Sequence, residues 1–114
     1  MAHKYMLVPL ANGIFAEYDL VTRAVIGALY DRMKISEYNL LGGDERYYDL
    51  IEQRVFCVYT HDELAAQIGV SEKTVRRSLE RLKKDALIWW YKATYRGANR
   101  YFLSHGIADE LRKQ

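Results

Sequence analysis

Cysteine and proline are almost missing from this 114-residue chain, which has one of each and only 7 glycines. The single cysteine, Cys57, excludes an internal disulfide and makes a reduced, cytoplasmic setting the expectation. So little proline and glycine leaves no Pro/Gly-rich linker and no low-complexity segment, and the chain reads as one ordered domain over residues 1–114. No apolar run approaches the roughly 20 residues that a bilayer span requires. The opening MAHKYMLVPL lacks the basic, long-apolar, small-residue order of a signal peptide, so no membrane partner is expected.

Constellations that carry catalysis are missing too. His3, His61 and His105 stand singly, and none forms a ligand pair at helix or strand spacing. Gly42 and Gly43 mark a loop, but no Lys-Ser or Lys-Thr follows to make a phosphate cradle. Asp62 and Glu63 fall in the first turn of a helix, where carboxylates stabilise the dipole without acid-base work. Cys57 alternates with Phe56 and Val58 in a strand and reads as a small buried apolar residue. No enzymatic activity, cofactor or metal ion is expected.

What is present is an uneven charge. The net +2 conceals nine basic residues within 71–100 (Lys73, Arg76, Arg77, Arg81, Lys83, Lys84, Lys92, Arg96, Arg100) against three acidic ones, so this stretch is +6 and the remainder −4. Phosphate binding needs charge gathered on one face and not a high total. A charge run alone also describes a solvated helix face, so the pattern around it decides.

That pattern is THDELAAQIGVSEKTVRRSL, residues 60–79. Thr60 and Glu63 make a capping box that starts a helix at His61, and Leu64, Ala65 and Ile68 give it an apolar stripe. Gly69 suits the left-handed residue that ends it, and Ser71 caps a second helix. The second helix buries Val75, Leu79 and Leu82 and turns Lys73, Arg77, Glu80 and Lys84 outward, with Arg76 and Arg81 on the flanks. Two short helices around a tight glycine turn, the second basic outside, form a helix-turn-helix; an αα-hairpin with no nucleic-acid partner is the plainer alternative.

After it, ALIWWYKATYRGANRYFLS holds two aromatic, β-rich runs about a Gly-Ala-Asn turn, a β-hairpin over Ala86–Ser104 with Lys92, Arg96 and Arg100 in or beside its tip. Helix, helix and basic hairpin in that order predict an α+β winged helix, whose second helix enters the major groove while the wing follows the backbone. Trp89, Trp90, Tyr91 and Tyr95 could stack on unpaired bases, but strand alternation turns at least one Trp toward the core. Core packing with backbone contact is the favoured reading.

Upstream, Asp19 or Thr22 starts a helix through about Lys34, followed by a connector and a strand over Arg54–Thr60. The helix is apolar almost all round, with Ile26 and Tyr30 forming a second stripe beside Val21, Val25, Leu29 and Met33. Surplus apolar surface of this kind suits a second subunit, so Ile26 and Tyr30 are the expected dimer interface. Arg32 falls within the main stripe and is expected to pair with Asp49 or Glu63, because an unpaired buried guanidinium is very costly.

The stretches YMLVPLANGIF, AVIGALYDRM and RVFCVYTHDELAAQIGVSEKTVRRSLERLKKDALI together resemble the N-terminal domain of the RepA-type replication initiators of Gram-positive plasmids. The resemblance spans about Lys4 to Leu103, and its most individual element pairs LYDRM with an aromatic strand ending in VYT. It implies a winged helix that dimerises and binds repeated double-stranded DNA sites at a plasmid origin, and a further C-terminal domain through which host replication proteins are engaged. This chain then corresponds to the N-terminal domain of a longer initiator. Carried over, the recognition helix begins at Glu72, with Lys73, Arg76 and Arg77 as base or phosphate contacts. The residues' own pattern puts Lys84, Arg96 and Arg100 on phosphates and adds Lys92 to the DNA-binding set. LLGGDERYYDLIEQ departs from the tryptophan-bearing turn expected there. A winged-helix transcriptional regulator, or a module whose basic face meets protein, remains the alternative.

Overall fold

A computed structural model describes residues 7–92 and 98–114 of the chain. Asp19 accepts a hydrogen bond from the Thr22 amide at 2.8 Å and starts the long helix α1 (Leu20–Leu41), whose buried residues include Val25, Ile26, Leu29 and Met33. The helix runs past Lys34, where it was expected to stop. Ser36 is buried and its hydroxyl donates to the Phe56 carbonyl at 2.8 Å, so the added turns lie against the chain that enters the sheet. Gly42 and Gly43 end α1, with Gly43 at φ +93°.

Next comes a feature absent from the expected outline. Residues 48–55 form a small hairpin in which β1 (Tyr48–Asp49) pairs antiparallel with β2 (Arg54–Val55). The strand expected over Arg54–Thr60 therefore breaks at Phe56, and β3 (Cys57–Tyr59) belongs to a different, three-stranded sheet.

Helix α2 (His61–Ile68) carries the capping box, with the Glu63 amide 3.2 Å from Thr60 Oγ1 and the Thr60 amide 2.9 Å from Glu63 Oε1. Gly69 takes φ +88° and ends it, and Ser71 accepts from the Thr74 amide to cap α3 (Glu72–Lys84). Val75, Leu79 and Leu82 are fully buried on one side of α3. Ser78, also buried, shares a hydrogen bond with Thr22 at 2.9 Å, tying α3 to the start of α1.

Strands β4 (Ile88–Lys92) and β5 (Asn99–Leu103) complete an antiparallel sheet of order β3-β5-β4, with β5 central. Tyr101 stands opposite both Cys57 and Trp90, so these share a face with Tyr59, Ile88 and Asn99 and pack toward the helices. The other face presents Trp89, Tyr91, Arg100 and Phe102. Phe102 is nonetheless fully buried, because Phe56, Trp89 and Tyr91 surround it with ring centroids 5.5 to 6.0 Å away. The β1–β2 hairpin covers this second core. With helix-turn-helix and hairpin in this order the architecture is a winged helix, as the order of elements predicts.

A last helix, α4 (His105–Arg112), packs Ile107 into the core and lies beside the N-terminal segment, where the Leu10 amide donates to the Gln114 side chain at 2.8 Å. That segment passes so close to α1 that a Cβ on Gly27 would collide with the Leu7 carbonyl oxygen.

Among the single-residue expectations, Ile26 changes and Arg32 and Cys57 hold. Ile26 is completely buried and so contributes to the core and not to a surface. Arg32 is partly exposed and pairs with Glu63 at 3.8 Å, while its Nη1 donates to the Val58 carbonyl at 2.7 Å and its guanidinium lies over the Tyr59 ring. Asp49, the other candidate partner, binds Arg100 instead. Cys57 is buried as expected, and burial pushes its thiol up to about 12 against the opposing charge of Arg32.

Candidate nucleic-acid interface

Helix α3 displays its charge by periodicity. With Val75, Ser78, Leu79 and Leu82 facing inward, Lys73, Arg77, Glu80 and Lys84 point away from the body and are exposed. Glu72 opens the helix, also exposed. Lys73, Arg76, Arg77 and Lys84 have no ion-pair partner among the described residues. Their cationic groups are thus available to an external anion without breaking an internal contact.

The two flanks of α3 differ. On one, Arg81 donates to the Glu17 carbonyl at 3.1 Å and lies over the Tyr18 ring at 4.7 Å, while the Tyr18 hydroxyl donates to Asp85. Arg81 is therefore a brace against the N-terminal segment. The opposite flank faces the sheet, where Lys83 Nζ lies 4.9 Å from the Trp90 ring centroid and Arg76 is near enough to His61 for its charge to act on that ring. At the start of α2, His61 meets the root of the wing, with Nε2 3.5 Å from Asn99 Nδ2.

The wing residues sort differently. Lys92 is exposed at the end of β4, on the same side of the sheet as Trp90 and Asn99. Arg96 and Tyr95 lie outside the described residues. Arg100, expected on phosphates, turns to the outer face of the sheet and donates to Asp49 at 2.9 Å with its guanidinium 4.1 Å from the Phe56 ring centroid. Register is the reason, because Arg100 shares its face with Phe102 and the β1–β2 hairpin lies over that face. Asp49 also accepts from the Tyr91 hydroxyl at 3.1 Å and from the Ile51 and Glu52 amides, each at 2.9 Å. These amide bonds, led by Glu52, with Arg100 and Tyr91, hold its carboxyl below the usual carboxylate range. Both tryptophans pack: Trp89 stacks on Phe102 and donates to Glu52, and Trp90 lies on Tyr101.

Tyr30 is half-buried with Lys34 over its ring, and it adds little apolar surface to α1. Exposed apolar side chains of α1 lie farther along, at Ile35, Tyr38 and Leu41, the last two 77% and 88% exposed. Sequence reasoning missed them because it ended the helix at Lys34. It named Lys83 and His61 but left both out of the contact set, although Lys83 falls on the Arg76 flank of the wheel and His61 is the first residue of a capped helix. Among the described residues no three His, Cys, Asp or Glu side chains gather as metal ligands. Among the described residues no helix is long and apolar enough to cross a membrane.

No protein-family model matches the chain, and no curated protein matches it by sequence. Solved structures do share its fold. One is an N-terminal domain of a DNA-binding protein, 14% identical with a TM-score of 0.63, aligned over 89% of this chain and 74% of that one. Another is a Rep–DNA complex, 14% identical with a TM-score of 0.62, aligned over 89% and 75%. At this identity the likeness is one of fold.

Proposed function

We propose that this domain binds double-stranded DNA through α3 and the wing, and that it recognises repeated sites in the initiation of plasmid replication. The observation that carries the reading is the outer face of α3, where Lys73, Arg76, Arg77 and Lys84 are exposed and make no ion pair among the described residues, beside a wing strand that ends in Lys92. Lys73, Arg76 and Arg77 read or bracket the major groove, and Lys84 and Lys92 neutralise phosphates. Arg96 retains that role from the sequence alone, whereas Arg100 acts as a strut and takes no part. Similarity of fold to a Rep–DNA complex agrees with the initiator reading, as does the resemblance to RepA-type initiators.

A second copy completes the arrangement and sets the spacing of two half-sites. It docks on the exposed apolar edge of α1 at Ile35, Tyr38 and Leu41, which replaces the interface expected at Ile26 and Tyr30. Host replication proteins are met through a further domain, and the protein works without enzymatic activity, cofactor or metal, in the cytoplasm.

Fluorescence anisotropy on duplexes tiled across the encoding gene and its upstream region, at two salt concentrations, tests the reading. One tile bound tightly, with a log-log salt slope near about −4 to −5 for roughly five neutralised phosphates, is the expected result. A tight tile inside the gene favours initiation, and one upstream favours an autoregulator. Absent or uniformly weak binding overturns the reading in favour of a protein-interaction module.

A further inference from the structure

Where α2 meets the root of the wing stands a titratable group that a count of lysines and arginines omits. His61 is half-buried at the first position of α2, with Nε2 3.5 Å from Nδ2 of Asn99. Asn99 opens β5, is 7% exposed, and also donates to the Tyr101 hydroxyl at 3.2 Å. The amide is thus held from behind by a buried phenol, and it fixes one edge of the imidazole against the wing. With Asn99 as donor, Nε2 is an acceptor and the ring is neutral.

The charges facing this ring come from each element around it. Asp62 follows on α2, Glu72, Arg76 and Glu80 face it from α3, and on the wing Lys92 is the register partner of Asn99. The phenols of Tyr59 and Tyr101 beside Asn99 are neutral at ordinary pH, both pushed up by burial. Burial first and the Arg76 charge second keep the ring below its ordinary value of 6.5, with the three carboxylates opposing. The ring is accordingly uncharged near neutrality in the free domain.

A DNA strand that meets both α3 and the wing brings its phosphates toward the ground between them, where Arg76 and His61 stand. We propose that, as the DNA backbone comes up to α3 and the root of the wing, His61 takes up a proton from solvent at Nε2, giving up the bond from the Asn99 amide, so that the imidazolium N–H contacts a phosphate oxygen and DNA affinity rises as pH falls. This inference rests on the DNA-binding reading above and adds to it a residue outside the expected contact set. A phosphate also offsets the repulsion between Arg76 and the imidazolium that disfavours the proton in the free state. The sign follows from linkage: a group whose pKa is raised by the ligand binds it more tightly as pH falls through the bound-state value, and the gain levels off below the free-state value. Folding moves oppositely, since the depressed folded-state value removes stability as pH falls from the unfolded value through the folded one.

The test is anisotropy on a bound duplex at constant ionic strength between about pH 8 and pH 6, for the wild type, His61→Gln and His105→Gln. The wild type and His105→Gln should gain about fivefold to tenfold in affinity over this range, as one coupled proton allows. His61→Gln, which keeps an acceptor for Asn99, should gain nothing. NMR titration of the wild-type imidazoles supplies a readout independent of how the variants fold, and the His61 pKa should rise when duplex is added. A wild type without pH dependence, a His61→Gln variant that keeps it, or a His61 pKa unmoved by duplex would each overturn the inference while leaving DNA binding intact. Failure of the wild type to bind any duplex at either pH overturns the DNA reading, and this inference with it.

Discussion

Arg77 and Arg100 are the same residue type in the same basic stretch, yet their surroundings give them opposite work. Arg77 stands on the outer face of α3 without an internal partner, whereas Arg100 is clasped by a carboxylate that is itself buried. Arg77→Ala should cost about 1 to 3 kcal/mol of binding on the preferred duplex and much less on random DNA if it reads a guanine. Equal losses on both, measured by anisotropy, would place it on a phosphate. At Ile26 the expectation is different, because the side chain is wholly enclosed. Ile26→Asp should remove more than about 4 kcal/mol of stability by burying an unpaired charge, seen in chemical denaturation as loss of the folded state and not as a stable monomer. How far single residues were legible follows the same division. The caps at Thr60 and Ser71 and the glycine at 69 act within a few positions, so the local sequence specified them. The direction of Arg100 depends on a covering hairpin tens of residues away, which no local pattern announces.

Among the elements, the hairpin β1–β2 was the least visible in the sequence and has the widest effect. Its strands are two residues each, too short for alternation to register, and its anchor is the non-local carboxylate of Asp49. The helix-turn-helix was legible because its apolar stripe and turn repeat within one stretch, while α4 went unread although Ile107 and Leu111 stand four apart behind Ser104. Asp49 links the turn amides of the hairpin to Tyr91 on β4 and Arg100 on β5. Asp49→Asn should leave α2 and α3 folded, shift the fluorescence of Trp89, and weaken binding to all duplexes by loosening the wing. Acid should act in the same way. A carboxylate with a lowered folded-state pKa contributes stability above its unfolded value and loses it as pH falls through the folded one, so the Trp89 change should appear below the ordinary carboxylate range and vanish in Asp49→Asn.

For the whole molecule, the exposed cationic groups lie on α3 and the exposed apolar ones on the last turns of α1, so the DNA and the second copy proposed above would not compete for the same residues. Tyr38→Asp should yield a monomer in sedimentation with unchanged thermal stability, because Tyr38 is 77% exposed and nothing in the core depends on it. A dimer that persists would remove this edge of α1 from the assembly. Affinity for a single half-site should be kept in that variant, and affinity for the paired site should fall through lost avidity. The second core on the outer face of the sheet has a consequence of another kind. Ordering a loose wing at the moment of contact would subtract conformational entropy from every encounter. Here Phe56, Trp89, Tyr91 and Phe102 meet that cost during folding, before any ligand arrives. Selection for affinity would therefore reach this hairpin as surely as it reaches α3, and its favoured changes would lie at aromatic and carboxylate positions that never touch a base.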